Sequence, residues 1–183
     1  PEDFPAVGDW AAVRRVTGDA RVMIHHLLPR RTRFARTVAG RSGGQQILAA
    51  NIDTVFLLSS LNQGFNPRRI ERFLTLAWDS GAQPVIVLTK SDLCANPDEL
   101  RREAEAAAAG VPVLAISCVT GQGLESLRPH LRAGQTAVLL GASGVGKSTL
   151  LNQLAGEDWQ AVLPVRESDA KGRHTTTRRE LFI

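Results

Sequence analysis

The spacing of apolar positions along the chain changes near Asn51. Before it, residues 10–16 and 20–28 form two strand-like runs around the turn Thr17-Gly18-Asp19, and shorter runs follow at 33–38 and 46–50. Together they predict a small all-β module over residues 1–49, a barrel or a piece of one. Over residues 50–183 the pattern alternates between strand and helix. Residues 53–59 (DTVFLLS) read as a strand, and Asn66-Pro67 then opens a helix with a capping residue followed by proline. Ile70, Phe73, Leu74 and Ala77 form its buried stripe, and Gly81 stops it. A strand at 85–88 follows, then an Ala-rich helix that begins at Asn96-Pro97-Asp98-Glu99 and ends near Gly110. The remainder reads as a strand (113–116), a short helix (124–131), a strand (136–140) and a helix (147–155). Repeated β-α alternation predicts an α/β fold with a mostly parallel sheet covered on both faces. Ligands in such sheets sit at the carboxyl ends of the strands.

Composition narrows the class. At 183 residues, with 43% hydrophobic and 22% charged positions, the chain is an ordinary globular protein of one or two domains. No apolar run approaches a membrane span and no signal peptide opens the chain, so a soluble cytoplasmic protein without a membrane partner is expected. The two cysteines, Cys94 and Cys118, lack the spacing of a zinc cluster or a disulfide framework and read as thiols in a reducing compartment. His25 and His26 fall on opposite faces of their strand and have no obvious ligand partners. The net charge of +4 points to an anionic partner. Between Asp19 and Asp53 there is no acidic residue, while Arg21, Arg30, Arg31, Arg33, Arg36 and Arg41 are all basic. Such a run is either a solvated face or a surface for an RNA phosphate backbone. The chain starts at Pro1 and stops at Leu181-Phe182-Ile183 within a strand-like run, as a piece of a longer protein would.

The most specific chemistry lies at Gly141-Ala142-Ser143-Gly144-Val145-Gly146-Lys147-Ser148, which fits G-x-x-x-x-G-K-[ST] between a strand and a helix. The glycines let backbone N–H groups wrap an anion at the positive end of the helix. Lys147 then reaches the outer phosphates, Ser148 offers a hydroxyl to Mg²⁺, and Thr149 adds a hydrogen bond to an inner phosphate. This loop does not choose between ATP and GTP.

The base is chosen upstream. Thr89-Lys90-Ser91-Asp92, at the end of the 85–88 strand, resembles the N/T-K-x-D guanine motif of GTPases. A carboxylate at Asp92 can accept both the N1–H and the exocyclic amine of guanine, and adenine offers neither donor there. Lys90 would lay its alkyl stem along the base. Thr89 departs from the commoner Asn, whose amide ties the base to the phosphate loop. At the next strand end, Ser117-Cys118-Val119 stands where a serine-alanine-lysine-like segment offers backbone N–H groups to guanine O6. Here the base motif precedes the phosphate loop, the reverse of the Ras order, and a circular permutation keeps the pocket while moving the termini.

This order, behind a basic β module, resembles the RsgA (YjeQ) family of circularly permuted GTPases. The likeness runs through Val7-Gly8-Asp9-Trp10, Leu28-Pro29-Arg30-Arg31, Leu48-Ala49-Ala50-Asn51-Ile52-Asp53, Leu88-Thr89-Lys90-Ser91-Asp92-Leu93, the phosphate loop and Gly172-Arg173-His174-Thr175-Thr176-Thr177. The resemblance implies an OB-fold module, a permuted GTPase domain using GTP/GDP and Mg²⁺, and a later zinc-binding domain whose ligands have no counterpart here. It also implies action late in maturation of the small ribosomal subunit, with subunit-stimulated hydrolysis and contact between the basic module and rRNA. A monomer is expected.

Residues 156–173 lack periodicity and read as a switch loop. Thr177, with Thr176 as the alternative, is expected to complete the Mg²⁺ shell beside Ser148, and its release on hydrolysis would couple nucleotide state to partner affinity. The resemblance makes His174 a candidate for positioning the attacking water, and the residues alone read equally as a solvent-facing loop histidine. Asp169-Ala170-Lys171-Gly172 matches D-x-x-G but lacks a preceding strand, so the functional D-x-x-G is expected beyond Ile183 and this chain is expected to hydrolyse slowly. Two other classes share the same pocket: a nucleotide-gated RNA-binding module with incidental hydrolysis, and a P-loop ATPase or kinase.

Overall fold

Two strands with almost no polar position inside them set the centre of the molecule. In the computed structural model, which describes residues 4–16, 18, 21–37, 45–62, 65–156 and 181–182, these are β5 (Thr54–Ser60) and β6 (Gln83–Thr89). A strand buried on both faces cannot alternate apolar with polar. Accordingly Val55, Leu57, Ile86 and Leu88 face one core, while Phe56, Leu58, Val85 and Val87 face the other. With β7 (Val113–Ala115) and β8 (Ala137–Gly141) they make a four-stranded, all-parallel sheet in the order β7-β6-β5-β8.

The first face is covered by α1 (Pro67–Ser80) and α2 (Pro97–Ala107). Asn66 caps α1 by accepting the Arg68 N–H, Pro67 starts it, and Gly81 ends it at φ 81°. Ile70, Leu74 and Ala77 are buried as expected, and Phe73 lies half-buried at the rim of that stripe. Asn96 begins α2 without a side-chain cap, and the helix stops at Ala107 because Ala109 and Gly110 both turn to positive φ. The second face is covered by α3 (Lys147–Ala155) and by residues Leu124–His130. The latter segment is a 3₁₀ helix, where the sequence pattern had pointed to an ordinary short helix. Pro129 inside it lacks an N–H and would crowd the carbonyl four residues back, which disfavours the α form.

The N-terminal strands form two antiparallel ladders, β1 (Ala11–Arg15) with β2 (Val22–Leu27) and β3 (Arg33–Thr37) with β4 (Gln45–Ala50), each broken by a bulge. Among the described residues these two ladders do not join into a closed barrel. Phe34 from β3 enters the core beneath α1, with Leu48 and Ala49 from β4 packed against it. The junction with the sheet is polar. Asn51, at φ 55°, donates from Nδ2 to the Gly8 carbonyl and accepts the Arg31 N–H on Oδ1. Thr32 donates its hydroxyl to the Ile52 carbonyl at 2.6 Å. Asp53 accepts the Thr136 N–H at the root of β8 and lies 3.5 Å from the Arg31 guanidinium.

Candidate functional site: a phosphate loop tied to a base motif

The carboxyl ends of β7, β6 and β8 lie at one end of the parallel sheet, with β5 between β6 and β8, and each carries one of the singled-out segments. At its last residue β8 lies so close to β5 that a Cβ on Gly141 would lie 2.7 Å from the Leu58 carbonyl oxygen. Only glycine fits that approach. Gly144 (φ 73°) and Gly146 (φ 99°) then take left-handed backbone and deliver the chain into α3, with Gly146 at its N-terminal boundary. Val145 between them is buried in the second core and anchors the loop from below.

Lys147 folds back over this loop, its Nζ donating to the carbonyls of Gly141 (3.0 Å) and Ala142 (2.8 Å). Burial pushes its ammonium below the usual lysine range. Ser148 and Thr149 follow in the first turn of α3, both half-buried, and Ala142 and Ser143 are exposed at the tip of the loop.

Thr89, 2% exposed at the end of β6, donates its hydroxyl to the Val145 carbonyl at 2.6 Å. The Ser59 carbonyl is farther away, at 3.4 Å, and the single hydroxyl proton belongs to the shorter contact. The contact that sequence reasoning left open for Thr89 is therefore a direct tie to the phosphate loop. Lys90 follows at φ 59°, ψ 39°, a left-handed conformation uncommon for a side chain of its kind, and Ser91–Leu93 make a 3₁₀ turn. Asp92 stands exposed on that turn. The Ser91 hydroxyl is buried and has no hydrogen-bond partner among the described residues.

The β6 and β7 ends are joined by backbone hydrogen bonds, Ile116 N–H to the Leu88 carbonyl and Ser91 N–H to the Ile116 carbonyl. Ser117 is wholly buried, and its Oγ accepts the N–H groups of Val119 and Thr120. Two amides of that segment are thus turned inward to a side chain. The Cys118 thiol is half-buried, and burial first, then the nearby Asp92 charge, push its pKa up. The backbone hydrogen bonds among Leu88, Ile116 and Ser91 hold the two base-side segments together.

The arginines separate into different environments. Arg30 is turned inward, with Nε and Nη2 on the two oxygens of Asp9 (2.7 and 2.6 Å) and Nη2 also on the Phe4 carbonyl. Its side chain is 15% exposed and that of Asp9 is 3% exposed, and the fork of hydrogen bonds holds the Asp9 carboxyl below its usual range against the opposing effect of burial. Arg31 and Arg33 are exposed. They border an open groove of about 1030 Å³ between β2 and the C-terminal end of α1, away from the phosphate loop. Charge counting found the arginines of this groove but missed Trp78, which α1 contributes from a distant part of the chain. The side chain of Arg36 lies outside the described residues, as do Arg41, His174, Thr175, Thr176, Thr177 and the Asp169-to-Gly172 match. Among the described residues, no helix is long and apolar enough to cross a membrane, and no cluster of His, Cys, Asp and Glu could hold a metal ion.

A parallel sheet with a phosphate loop on one strand end, tied to a base-side motif that comes earlier in the chain, defines a circularly permuted P-loop domain of the GTPase class. The family model described as RsgA GTPase matches residues 27–183, and the chain belongs to that family. It is 50% identical over 182 residues to the small ribosomal subunit biogenesis GTPase RsgA 2 of Lactiplantibacillus plantarum, covering 100% of this chain and 51% of that protein. Among solved structures it resembles YjeQ from Thermotoga maritima, with a TM-score of 0.63 and 29% identity over 84% of this chain and 52% of that one. It also resembles YloQ, described as a circularly permuted GTPase, with a TM-score of 0.58 and 28% identity over 81% of this chain and 50% of that one. The chain spans about half the length of the curated relatives it matches.

Proposed function

We propose that this chain is the nucleotide-binding part of a GTP-hydrolysing factor for maturation of the small ribosomal subunit, in which nucleotide state controls affinity for the subunit and its rRNA. The observation that carries the reading is the 2.6 Å hydrogen bond from Thr89 to Val145, which ties the base motif to the phosphate loop. In this reading residues 1–49 are an RNA-facing module and 50–183 the GTPase domain. Gly141 to Gly146 surround the phosphates with backbone N–H groups at the start of α3. Lys147 exchanges the Gly141 and Ala142 carbonyls for phosphate oxygens. Asp92 accepts from the guanine edge, the alkyl stem of Lys90 covers the base, and the Cys118 N–H serves O6, because the Val119 amide is turned to Ser117.

The Ser148 hydroxyl, a hard oxygen donor in the first turn of α3, fits Mg²⁺. The ion, when bound, neutralises charge on the outer phosphates. Thr177 or Thr176 is the second protein ligand of that reading, His174 the water-positioning group, and any zinc site belongs to sequence outside this chain. The names of the relatives support the ribosomal role. The test is GTP turnover by the full-length protein with and without purified small subunits. Stimulation is the expected result, and turnover indifferent to small subunits overturns the ribosomal role. Displacement of labelled GDP by ATP as readily as by GTP would overturn the guanine assignment.

A further inference from the structure

The groove between β2 and the C-terminal end of α1 has features that the nucleotide site does not use. Trp78 is 49% exposed on the last turn of α1, with its ring available at the groove wall. The same groove is lined by Arg31, whose side chain is 70% exposed, and by Arg33. His25 and His26 on β2 are also among the residues that line it. Among the described residues that line it, Asp79 is the single acidic one. The volume, about 1030 Å³, is at the upper end of the roughly 300–1,000 Å³ that enclose a compact small molecule, and the groove is open along its length. An open groove with aromatic faces, exposed guanidinium groups and little negative charge complements a chain of stacked bases and phosphates.

We propose that this groove binds a single-stranded RNA segment, with one base stacked on Trp78 and phosphates on Arg31 and Arg33. The inference rests on the rRNA reading above and assigns it a surface. It differs from a basic β module acting alone, because the stacking platform comes from a helix of the sheet domain. Arg31 also faces Asp53, whose carboxylate accepts the Thr136 N–H at the root of β8. RNA bound in the groove therefore competes with Asp53 for a guanidinium one step away from the strand that carries the phosphate loop.

The test is fluorescence anisotropy of the full chain with a labelled single-stranded RNA dodecamer and a double-stranded competitor. Trp78→Ala is expected to weaken binding roughly 5- to 100-fold, the loss of one base–aromatic stack. Trp78→Phe should retain most of the affinity, and Asp79→Lys should increase it. The paired change Arg31→Ala and Arg33→Ala should weaken binding and flatten its salt dependence. GDP affinity serves as the folding control and should stay unchanged in Trp78→Ala. Tight RNA binding by the parent that is indifferent to Trp78→Ala and Asp79→Lys overturns this inference and leaves the rRNA reading standing. No RNA binding by the parent overturns both. Equal competition by the duplex overturns the single-strand claim, and Trp78-dependent binding of an acidic peptide in place of RNA would reassign the groove to a protein partner.

Discussion

The hydroxyl of Thr89 donates to the carbonyl of Val145 across 56 residues of sequence, in a setting from which water is excluded. Thr89→Val keeps the shape and removes the donor, leaving the Val145 carbonyl unpaired at a cost of about 1–3 kcal/mol. Chemical denaturation should show that loss, and calorimetric titration should show weaker GDP binding. Thr89→Ser, which retains the hydroxyl, should recover most of both.

Asp92 is exposed on the turn after β6, and in the proposed reading it accepts from the guanine edge. Asp92→Ala should lower GDP affinity by roughly 10- to 100-fold, the worth of hydrogen bonds to a charged group, while ATP affinity stays where it was. Competition binding with the two nucleotides reads the difference directly.

Burial holds Lys147 below its ordinary value of 10.5. Because the folded-state value is the lower one, the charged ammonium opposes folding at neutral pH, and this penalty fades as pH rises through the depressed value. Lys147→Met should therefore melt at the same temperature as the parent or higher at pH 7, yet lose at least about tenfold in nucleotide affinity with its phosphate contact gone. Thermal melts with and without GDP separate the two effects.

Arg30 and Asp9 give the opposite sign. The Asp9 carboxyl, held below its usual 3.8, stabilises the fold fully above that value, and the contribution disappears as pH falls through the lowered folded-state value. Asp9→Asn should cost about 1.5–3 kcal/mol at pH 7 and flatten the acid limb of the stability profile. Denaturant unfolding at pH 7 and in the acid range provides the comparison.

Gly141→Ala places a methyl group against the Leu58 carbonyl and 2.9 Å from Val145 Cγ1. The backbone must move, at a cost of about 1–3 kcal/mol, and the loop it moves is the phosphate loop. A lowered melting temperature together with reduced GDP binding is the expected outcome.

The parallel sheet could be read from the chain because the middles of β5 and β6, residues 55–58 and 84–88, are continuously apolar, and the P-loop because its glycines and lysine have fixed spacing. The 3₁₀ form of residues Leu124–His130 was not evident, since apolar spacing alone does not register what Pro129 removes. The Thr89 contact was hidden for a different reason. Its acceptor is a main-chain carbonyl, and every residue has one of those. Arg30 shows the limit of charge counting: its neighbours in sequence are basic and two of them exposed, but a carboxylate 21 residues earlier takes its guanidinium out of the surface.

The sheet order also fixes when the site can exist during synthesis. Thr54 of β5 pairs with Gln83 of β6 on one side and with Ala137 of β8 on the other. A growing chain therefore completes the base motif and both flanking helices of the first core while one edge of β5 is still open, and non-local pairings of this kind form slowly. The strand that closes that edge is the one that carries the phosphate loop. Newly made molecules thus form the surfaces around Thr89 before the phosphate loop, and the proposed nucleotide can stabilise the fold only after β8 and α3 have left the exit tunnel.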